Sequence, residues 1–200
     1  MSCCYPDRLP FDGERNMRRY ELIEALIPEF KETLVICNIG IPSQEMFSIR
    51  DRDNHFYMLG SMGLCSSIGL GLSMTTDKTV VSLEGDGSLL MNLGSLATIA
   101  NHAPKNFILL VIDNGTYGST GDQPTFTSQA TSLSEIASGA GCADVIECDG
   151  QDAPQHLRTA ISAGCASVIV AKVESGNEAC PVVPLHPIVL RERFKKFVIS

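Results

Sequence analysis

The chain has 200 residues, of which 44% are hydrophobic, and this is enough for one sizeable core. Its 15 basic and 23 acidic side chains give a net charge of −8, which lacks the basic surface that nucleic acid or anionic lipid requires. No apolar run has the length of a signal peptide or approaches the roughly 20 residues of a membrane span. We therefore expect a single cytoplasmic domain over residues 1–200, with residues 1–14 a flexible tail and with no nucleic-acid or membrane partner.

The helices and strands predicted from apolar spacing alternate along the chain. Residues 16–30 have apolar side chains near helical spacing, and residues 33–37 form a short apolar run typical of a buried strand. Further strands are predicted at 55–59, 79–84, 107–112, 143–147 and 167–173, and further helices at 63–74, 88–102, 132–140, 152–163 and 188–197. Uniformly apolar strands separated by helices predict a doubly wound α/β domain, with a mainly parallel six-stranded sheet and helices on both faces.

The eight cysteines are expected to be reduced thiols. Cys3 and Cys4 are adjacent in the predicted tail, and no C-x-x-C occurs, so the ligand spacing of a structural zinc site or an iron–sulfur cluster is missing. The cysteines that lie in apolar segments predicted to be core are Cys37, Cys65, Cys148 and Cys165.

The first polar cluster is the turn Gly85-Asp86-Gly87-Ser88, between a predicted strand and a predicted helix. Glycine lets a ligand approach the backbone closely, and a helix N-terminus favours phosphate. Ser88 is the predicted N-cap of the helix. A purely structural turn would have the same sequence, so the turn alone leaves both interpretations open. The predicted apolar face of the helix consists of Leu89, Leu93, Leu96, Ala97 and Ala100.

The second cluster opens the longest irregular stretch, residues 113–131, which is long for a connection in a compact domain and so indicates function. Asn114 follows Asp86 by 28 residues, and one predicted helix and one predicted strand fill the interval. Ligands of open α/β sheets bind at the carboxyl ends of strands, where these two residues are expected to meet. A carboxylate and an amide oxygen suit Mg²⁺, which is usually held by few protein ligands and by substrate phosphates. The spacing therefore predicts a site for Mg²⁺ and a diphosphate.

Together, GDGS and DNGTYG resemble the G-D-G…N-N signature of thiamine-diphosphate enzymes. The resemblance implies the cofactors thiamine diphosphate and Mg²⁺, with the cation bound by the side chains of Asp86 and Asn114 and by the main-chain carbonyl of Thr116. Asp113 stands where the family often has asparagine. The residues that the resemblance implies at the diphosphate end of the cofactor are Gly85, Gly87, Ser88 and Tyr117.

A third segment, Gly60-Ser61-Met62-Gly63, resembles the stretch with which this family binds the aminopyrimidine ring. The resemblance implies that the Gly60 carbonyl and the Met62 amide face the ring, that Ser61 belongs to the same site, and that the Met62 side chain supports a bent cofactor. Simple helix packing would explain the same residues, since methionine often fills irregular gaps in a core.

Residues 55–63 and 119–125 are most similar to the sulfopyruvate and phosphonopyruvate decarboxylases. The resemblance implies a 2-oxoacid decarboxylase, and foremost the β subunit of the sulfopyruvate enzyme, which divides its two cofactor-binding modules between short chains. The activating glutamate is then expected on an α subunit, because Glu84 precedes the turn and does not match that residue. The resemblance also implies a hetero-oligomer that self-associates.

Other classes stay open at this point. Phosphonopyruvate decarboxylase and an acetolactate synthase-like subunit are alternatives, and a non-catalytic subunit would bind the cofactor without any turnover. The β chain of a 2-oxoacid:ferredoxin oxidoreductase is disfavoured, because the cluster-binding cysteine spacing is missing.

No histidine can be assigned to catalysis from the sequence. We expect His102 to stabilise a helix C-terminus, His55 to lie near the cofactor site, and His156 and His186 to lie on the surface. In the long loop, Ser119, Thr120 and Gln123 are candidate donors to a substrate sulfonate, although an ordinary polar loop would have the same residues.

Overall fold

The computed structural model describes residues 17–200, so the predicted tail, with Cys3 and Cys4, lies outside the described residues. The strands are β1 (Leu34–Cys37), β2 (His55–Tyr57), β3 (Val80–Gly85), β4 (Phe107–Asp113), β5 (Thr116–Tyr117), β6 (Gln123–Pro124), β7 (Asp144–Asp149) and β8 (Ser167–Lys172). The helices are α1 (Arg19–Leu26), α2 (Ile41–Ile49), α3 (Cys65–Ser73), α4 (Asp86–Leu90), α5 (Gly94–His102), α6 (Leu133–Gly139), α7 (Ala153–Ala163) and α8 (Pro187–Ile199).

Six of the strands form one sheet in the order β2-β1-β3-β4-β8-β7, and every neighbouring pair is parallel. The short strands β5 and β6 form a separate antiparallel hairpin inside the predicted irregular stretch. Parallel strands have their carboxyl ends at one edge of the sheet, so the connections that follow β1, β3 and β4 meet there. The predicted doubly wound fold with six parallel strands is confirmed.

Two hydrophobic cores lie on opposite faces of the sheet, because successive side chains of a strand point to opposite sides. In β4, Ile108 and Leu110 belong to one core, whereas Leu109 and Val111 belong to the other. The first core includes buried residues of α1, α2 and α7, and the second includes buried residues of α3, α4, α5 and α6. Burial on both faces explains why the strands are apolar throughout.

The sequence missed α2 and merged α4 with α5. Pro42 lies at the start of α2, where its lack of an N–H costs no helical hydrogen bond, and the helix has only nine residues. Between α4 and α5, Asn92 donates from Nδ2 to the Gly63 carbonyl at 2.9 Å. The predicted apolar face also differs, since Ala97 is exposed and Ile99 is buried.

The cysteines of the described residues are free thiols, as predicted. Cys37, Cys65 and Cys148 are buried, and burial raises the pKa of Cys37 to about 12. The prediction for Cys165 is wrong: this residue is exposed, because it lies in the turn before β8 rather than in the strand. None of the helices between residues 17 and 200 combines the length and the apolar character needed to cross a membrane.

Candidate functional site

An open cavity of about 120 Å³ lies at the carboxyl ends of β1, β3 and β4. Gly85 and Ile112 are register partners in the last ladder position of β3 and β4, so the chain leaves the sheet at Asp86 and Asp113 side by side. The predicted site residues that line the cavity are Met62, Gly85, Asp86, Gly87, Ser88, Asn114, Thr116 and Tyr117. Three parts of the chain that the sequence singled out separately therefore share one cavity: the GDGS turn, the DNGTYG loop and, through Met62, the Gly60–Gly63 segment.

Gly60 and Ser61 are exposed and immediately precede Met62, which is half-buried on the cavity wall. Ser61 has a φ of 62°, in the left-handed region that residues with a side chain seldom adopt. Gly63 also has a positive φ, of 90°, and a Cβ there would lie 3.2 Å from the Cβ of Met91. Ser61 and Gly63 therefore define the backbone conformation of the segment.

Asp86 is buried and is the first residue of α4. Its Oδ2 accepts hydrogen bonds from the Thr125 hydroxyl at 2.5 Å and from the Thr127 hydroxyl at 3.0 Å. Burial, and next the neighbouring Asp113, raise the pKa of Asp86 to about 6. The two threonines thus fix the position of Oδ2. Burial makes the negative charge of this carboxylate unfavourable, and a bound cation would stabilise it.

Asn114 has an unpaired side-chain donor at the cavity. Its Oδ1 accepts from the Thr116 N–H at 3.2 Å, whereas its buried Nδ2 has no hydrogen-bond partner among the described residues. Buried amide groups are nearly always paired, so this one indicates a ligand that brings oxygen acceptors. An oxygen-rich group such as a diphosphate fits that requirement.

Gly87 forms the floor of the cavity against the Tyr117 ring. A Cβ on Gly87 would lie 2.3 Å from Tyr117 Cε1, so only glycine allows this close approach. Gly87 is buried and lines the cavity at the start of α4, a position suited to a ligand that contacts backbone N–H groups. The observed surroundings of Gly87, Asp86 and Asn114 therefore fit a cation and a diphosphate.

Ser88 is not the N-cap that the sequence predicted. The helix begins two residues earlier, at Asp86, and Gly85 is its N-cap. The Ser88 hydroxyl instead accepts from the Gly63 N–H at 2.8 Å and donates to Asn38 Oδ1 at 3.2 Å. Ser88 therefore joins the turn after β3 to the Gly60–Gly63 segment and to the turn after β1.

The sequence missed a fourth part of the site, which consists of the turn 38–40 after β1 and the first two residues of α2, Ile41 and Pro42. Gly40 in this turn has a φ of 76° and is the N-cap of α2, and Pro42 is the second residue of that helix. A glycine and a proline between an apolar strand and a helix were a usable signal. Two helix N-termini, those of α2 and α4, thus lie at the cavity.

Arg19 was also missed, although it lies on the cavity wall. Its guanidinium group binds both carboxylate oxygens of the buried Glu45, with Nε 2.6 Å from Oε2 and Nη2 2.9 Å from Oε1. Nη2 also donates to Asn177 Oδ1, and Asn177 Nδ2 donates to the Gly118 carbonyl at 2.7 Å. Nothing local in the sequence around Arg19 indicates these long-range contacts.

Glu84 is a second buried acid on the cavity wall. Its Oε2 accepts from the Ser66 N–H near the start of α3 and its Oε1 from the Gly85 N–H, each at 3.2 Å. Burial raises the pKa of Glu84 to about 7. The residue fixes the start of α3 against the end of β3.

Of the histidines and loop donors, only Ser119 lines the cavity. The prediction that His55 lies near the site is wrong. His55 is the first residue of β2, so it lies at the amino ends of the strands, away from the cavity, and its ring packs against Phe30 and Tyr57. Thr120 and Gln123 are exposed and hydrogen-bond each other. His102 ends α5, His156 is half-buried on α7, and His186 is the N-cap of α8.

Within residues 17–200, no group of three or more His, Cys, Asp or Glu side chains is arranged to hold a metal ion. The donors predicted for the cation are one carboxylate, one amide oxygen and one main-chain carbonyl. Such oxygen donors match Mg²⁺, which takes its remaining ligands from water and phosphate.

Comparison with known proteins agrees with this geometry. Residues 39–181 match the family model for the C-terminal TPP binding domain of thiamine pyrophosphate enzymes. The chain is 43% identical over 182 residues, 90% of its length, to the sulfopyruvate decarboxylase subunit beta of Methanocaldococcus jannaschii, of which it covers 97%. It is 37% identical over 185 residues to the phosphonopyruvate decarboxylase of Streptomyces viridochromogenes and covers 46% of that longer protein.

Solved structures share the fold. The benzoylformate decarboxylase of Polynucleobacter necessarius matches with a TM-score of 0.65 at 20% identity, over 83% of this chain and 35% of that one. The 4-hydroxybenzoylformate decarboxylase of Rhodococcus jostii has a TM-score of 0.67 at 19% identity. The match to the family model covers most of the sequence and contains both motifs, so this chain belongs to the thiamine pyrophosphate enzymes, as their C-terminal TPP binding domain.

Proposed function

We propose that this chain is the β subunit of a thiamine-diphosphate- and Mg²⁺-dependent 2-oxoacid decarboxylase, acting on sulfopyruvate to give sulfoacetaldehyde and carbon dioxide. The observation that carries the proposal is the shared cavity, where Asp86, Asn114 and Thr116 lie together beside the Gly87 floor. The substrate assignment is supported by the sulfopyruvate decarboxylase subunits, which match this chain over nearly their whole length. A cytoplasmic location stays a prediction from the sequence.

In this proposal the chain's own residues bind and orient the cofactor. Asp86, Asn114 and the Thr116 carbonyl hold the cation, while the N-termini of α2 and α4 face the diphosphate. Met62 supports the ring system from the cavity wall. When bound, thiamine diphosphate supplies the electron sink for loss of carbon dioxide, so the contribution of these residues is positioning and charge neutralisation.

A partner subunit is expected to supply the acid that activates the cofactor. The carboxylates on the cavity wall are Glu84 and Asp86, and both already accept hydrogen bonds within the chain. Beside the cavity, Leu59, Leu64 and Met91 are 60%, 44% and 62% exposed, and Leu59 and Leu64 flank the Gly60–Gly63 segment. Exposed apolar side chains at the mouth of a site support contact with another protein surface.

Phosphonopyruvate is the second candidate substrate, since phosphonopyruvate decarboxylases are 37–38% identical to this chain. Those proteins are about twice as long as the part that this chain covers, whereas the sulfopyruvate subunits are of similar length. The sulfopyruvate decarboxylase of Methanosarcina acetivorans, of which this chain covers 47%, is also long, so the higher identity of the sulfopyruvate subunits, 42–44%, is what favours sulfopyruvate.

Coexpression with the partner chain tests the activity. The purified complex should release carbon dioxide from sulfopyruvate faster than from phosphonopyruvate or pyruvate, and only with thiamine diphosphate and Mg²⁺. Preference for phosphonopyruvate would move the assignment to the second candidate. A complex that binds the cofactor yet turns over none of the three acids would make this chain a non-catalytic binding subunit.

The variant Asp86→Asn tests the cation site within the same complex. Removing the one carboxylate should weaken Mg²⁺-dependent binding of thiamine diphosphate by at least about 100-fold in calorimetry, because a neutral amide then replaces the only anionic protein ligand of the cation. Asp77→Asn, at an exposed position away from the cavity, is the matched control and should bind normally. Normal binding by Asp86→Asn would remove the ligand assignment.

A further inference from the structure

Asp113 is a second buried carboxylate beside the proposed cation site. It is 2% exposed, like Asp86, and it directly precedes Asn114. The two carboxylates are close, since the Thr127 hydroxyl lies 3.0 Å from Asp86 Oδ2 and 2.7 Å from Asp113 Oδ1. A cation that binds Asp86 therefore has a second anionic candidate ligand within reach.

Both oxygens of Asp113 are engaged by groups of the protein. Oδ1 accepts from the Gly115 N–H at 3.2 Å and from the Thr127 hydroxyl, whose single proton it shares with Asp86 Oδ2. Oδ2 forms an ion pair with Nζ of Lys172, whose side chain is only 11% exposed. Asp86 differs from Asp113 in that only one of its oxygens, Oδ2, is contacted by other side chains of the described residues, namely Thr125 and Thr127.

Lys172 reaches Asp113 from the neighbouring strand. The two residues are register partners at the ends of β4 and β8, and Lys172 is also in register with Asp149 at the end of β7. Between these two acids, the ammonium group pairs with Asp113. Lys172 therefore compensates the carboxylate that lies next to the cavity.

We propose that Lys172 and Thr127 hold Asp113 out of the cation's coordination shell, so that Asp86 is its one carboxylate ligand. This inference rests on the proposed function and adds a positioning role for two residues that do not line the cavity. A second carboxylate would increase affinity for a free cation and would repel the diphosphate that completes the shell. With a single carboxylate ligand, the site therefore favours a cation that binds together with an anionic cofactor over a cation that binds alone.

The test compares Lys172→Met with wild type in the copurified complex, with Mn²⁺ alone as the probe and electron paramagnetic resonance to count bound ions. Losing the ammonium group should free Asp113 and tighten Mn²⁺ binding by about 10-fold, because affinity rises with the number of charged ligands. Calorimetry with thiamine diphosphate at a fixed Mn²⁺ concentration should show weaker cofactor binding by about 10-fold. Lys105→Met, at an exposed position before β4, is the control and should change neither value.

The double variant Asp113→Asn/Lys172→Met should return both affinities to within about threefold of wild type, since the freed charge is gone. A merely structural ion pair would lower the melting temperature of Lys172→Met without changing Mn²⁺ affinity, and that result would overturn the proposal. If Lys172→Met does not fold, Asp113→Asn alone decides: unchanged Mn²⁺ affinity supports the proposal, and a 10-fold loss identifies Asp113 as a ligand and overturns it.

Failure of this inference can be told apart from failure of the proposed function. If Asp86→Asn abolishes Mn²⁺ binding while Lys172→Met leaves it unchanged, the cation site stands and the role of Lys172 is wrong. If Asp86→Asn has no effect on Mn²⁺ binding, the cation site itself is wrong, and this inference is overturned with it.

Discussion

Asn106 and Asn114 lie just outside the two ends of β4, and their side-chain amides have opposite surroundings. At the amino end, Asn106 Nδ2 contacts the carbonyls of Ser73, Thr76 and Lys78 at 3.1, 2.7 and 2.9 Å. At the carboxyl end, Asn114 Nδ2 is buried and has no partner in the described part of the chain. The side-chain amide nitrogen of asparagine is thus fully hydrogen-bonded within the protein at one end of β4, whereas at the other end Nδ2 can donate to a ligand.

Other residues follow the same division. Before β2, at the amino edge, Asn54 Nδ2 donates to the carbonyls of Phe30 and Thr33 at 2.7 and 2.6 Å. At the carboxyl edge, Glu84 and Asp86 are buried acids with raised pKa values. The two asparagines at the amino edge therefore stabilise loops, whereas Asn114, Glu84 and Asp86 at the carboxyl edge keep unfavourable features that a ligand can relieve.

The largest effects are expected from alanine substitutions at the two ends of β4. Asn106→Ala should lower the free energy of unfolding by about 2 kcal/mol, because the two N–H groups of the amide serve the carbonyls of three residues, and should leave cofactor affinity unchanged. Asn114→Ala should weaken thiamine diphosphate binding by at least about 100-fold and change stability by less than about 1 kcal/mol. Urea unfolding and calorimetry measure the two quantities.

Each of these asparagine variants is the control for the other. A large loss of stability in Asn114→Ala, with cofactor binding intact, would show that the two ends of the strand do not differ in the way that their hydrogen bonds indicate.

A further effect is expected on the pH dependence of the free energy of unfolding, through His55 at the start of β2. Burial, and next the charge of Arg52, lower the pKa of His55 to about 4 from its ordinary 6.5. Between these two values the unfolded chain binds the proton and the folded chain does not, so stability is fully present above pH 6.5 and is lost as pH falls toward 4. The loss should be roughly 2–3 kcal/mol in urea unfolding series.

His55→Asn should lack this part of the pH dependence, and His156→Asn, on the half-buried α7 position, should retain it. The same slope in wild type and His55→Asn between pH 6.5 and 4.5 would contradict the assignment to His55.

The smallest effect is expected at the floor of the cavity. Gly87→Ala places a Cβ 2.3 Å from Tyr117 Cε1, so the ring must move, and cofactor affinity should fall by about 10-fold in calorimetry. Gly139→Ala is the matched control, because a Cβ there meets nothing within 4 Å, and it should bind normally. Equal binding by the two variants would show that the contact between Gly87 and Tyr117 does not shape the site.

The sequence by itself determined the six strands, the parallel sheet and three of the segments that line the cavity, but not the turn after β1 or Arg19. Apolar runs separated by helical spacing report burial on both faces, and that signal is local in the chain. The GDGS and DNGTYG motifs were informative for a related reason: each follows a strand, and parallel strands end at one edge. Asp86 and Asn114 were therefore predicted to meet, and both line the cavity.

Only the tertiary structure decided which partner each polar group has. The Ser88 hydroxyl contacts Gly63 and Asn38 rather than capping its own helix, and Lys172 pairs with Asp113 from 59 residues away. Arg19 and Glu45 likewise meet across separate helices. Such pairs depend on the order of strands in the sheet and on the direction of each side chain, and neither leaves a periodic trace in the sequence, because a hydrogen bond depends on distance in space and not on separation along the chain.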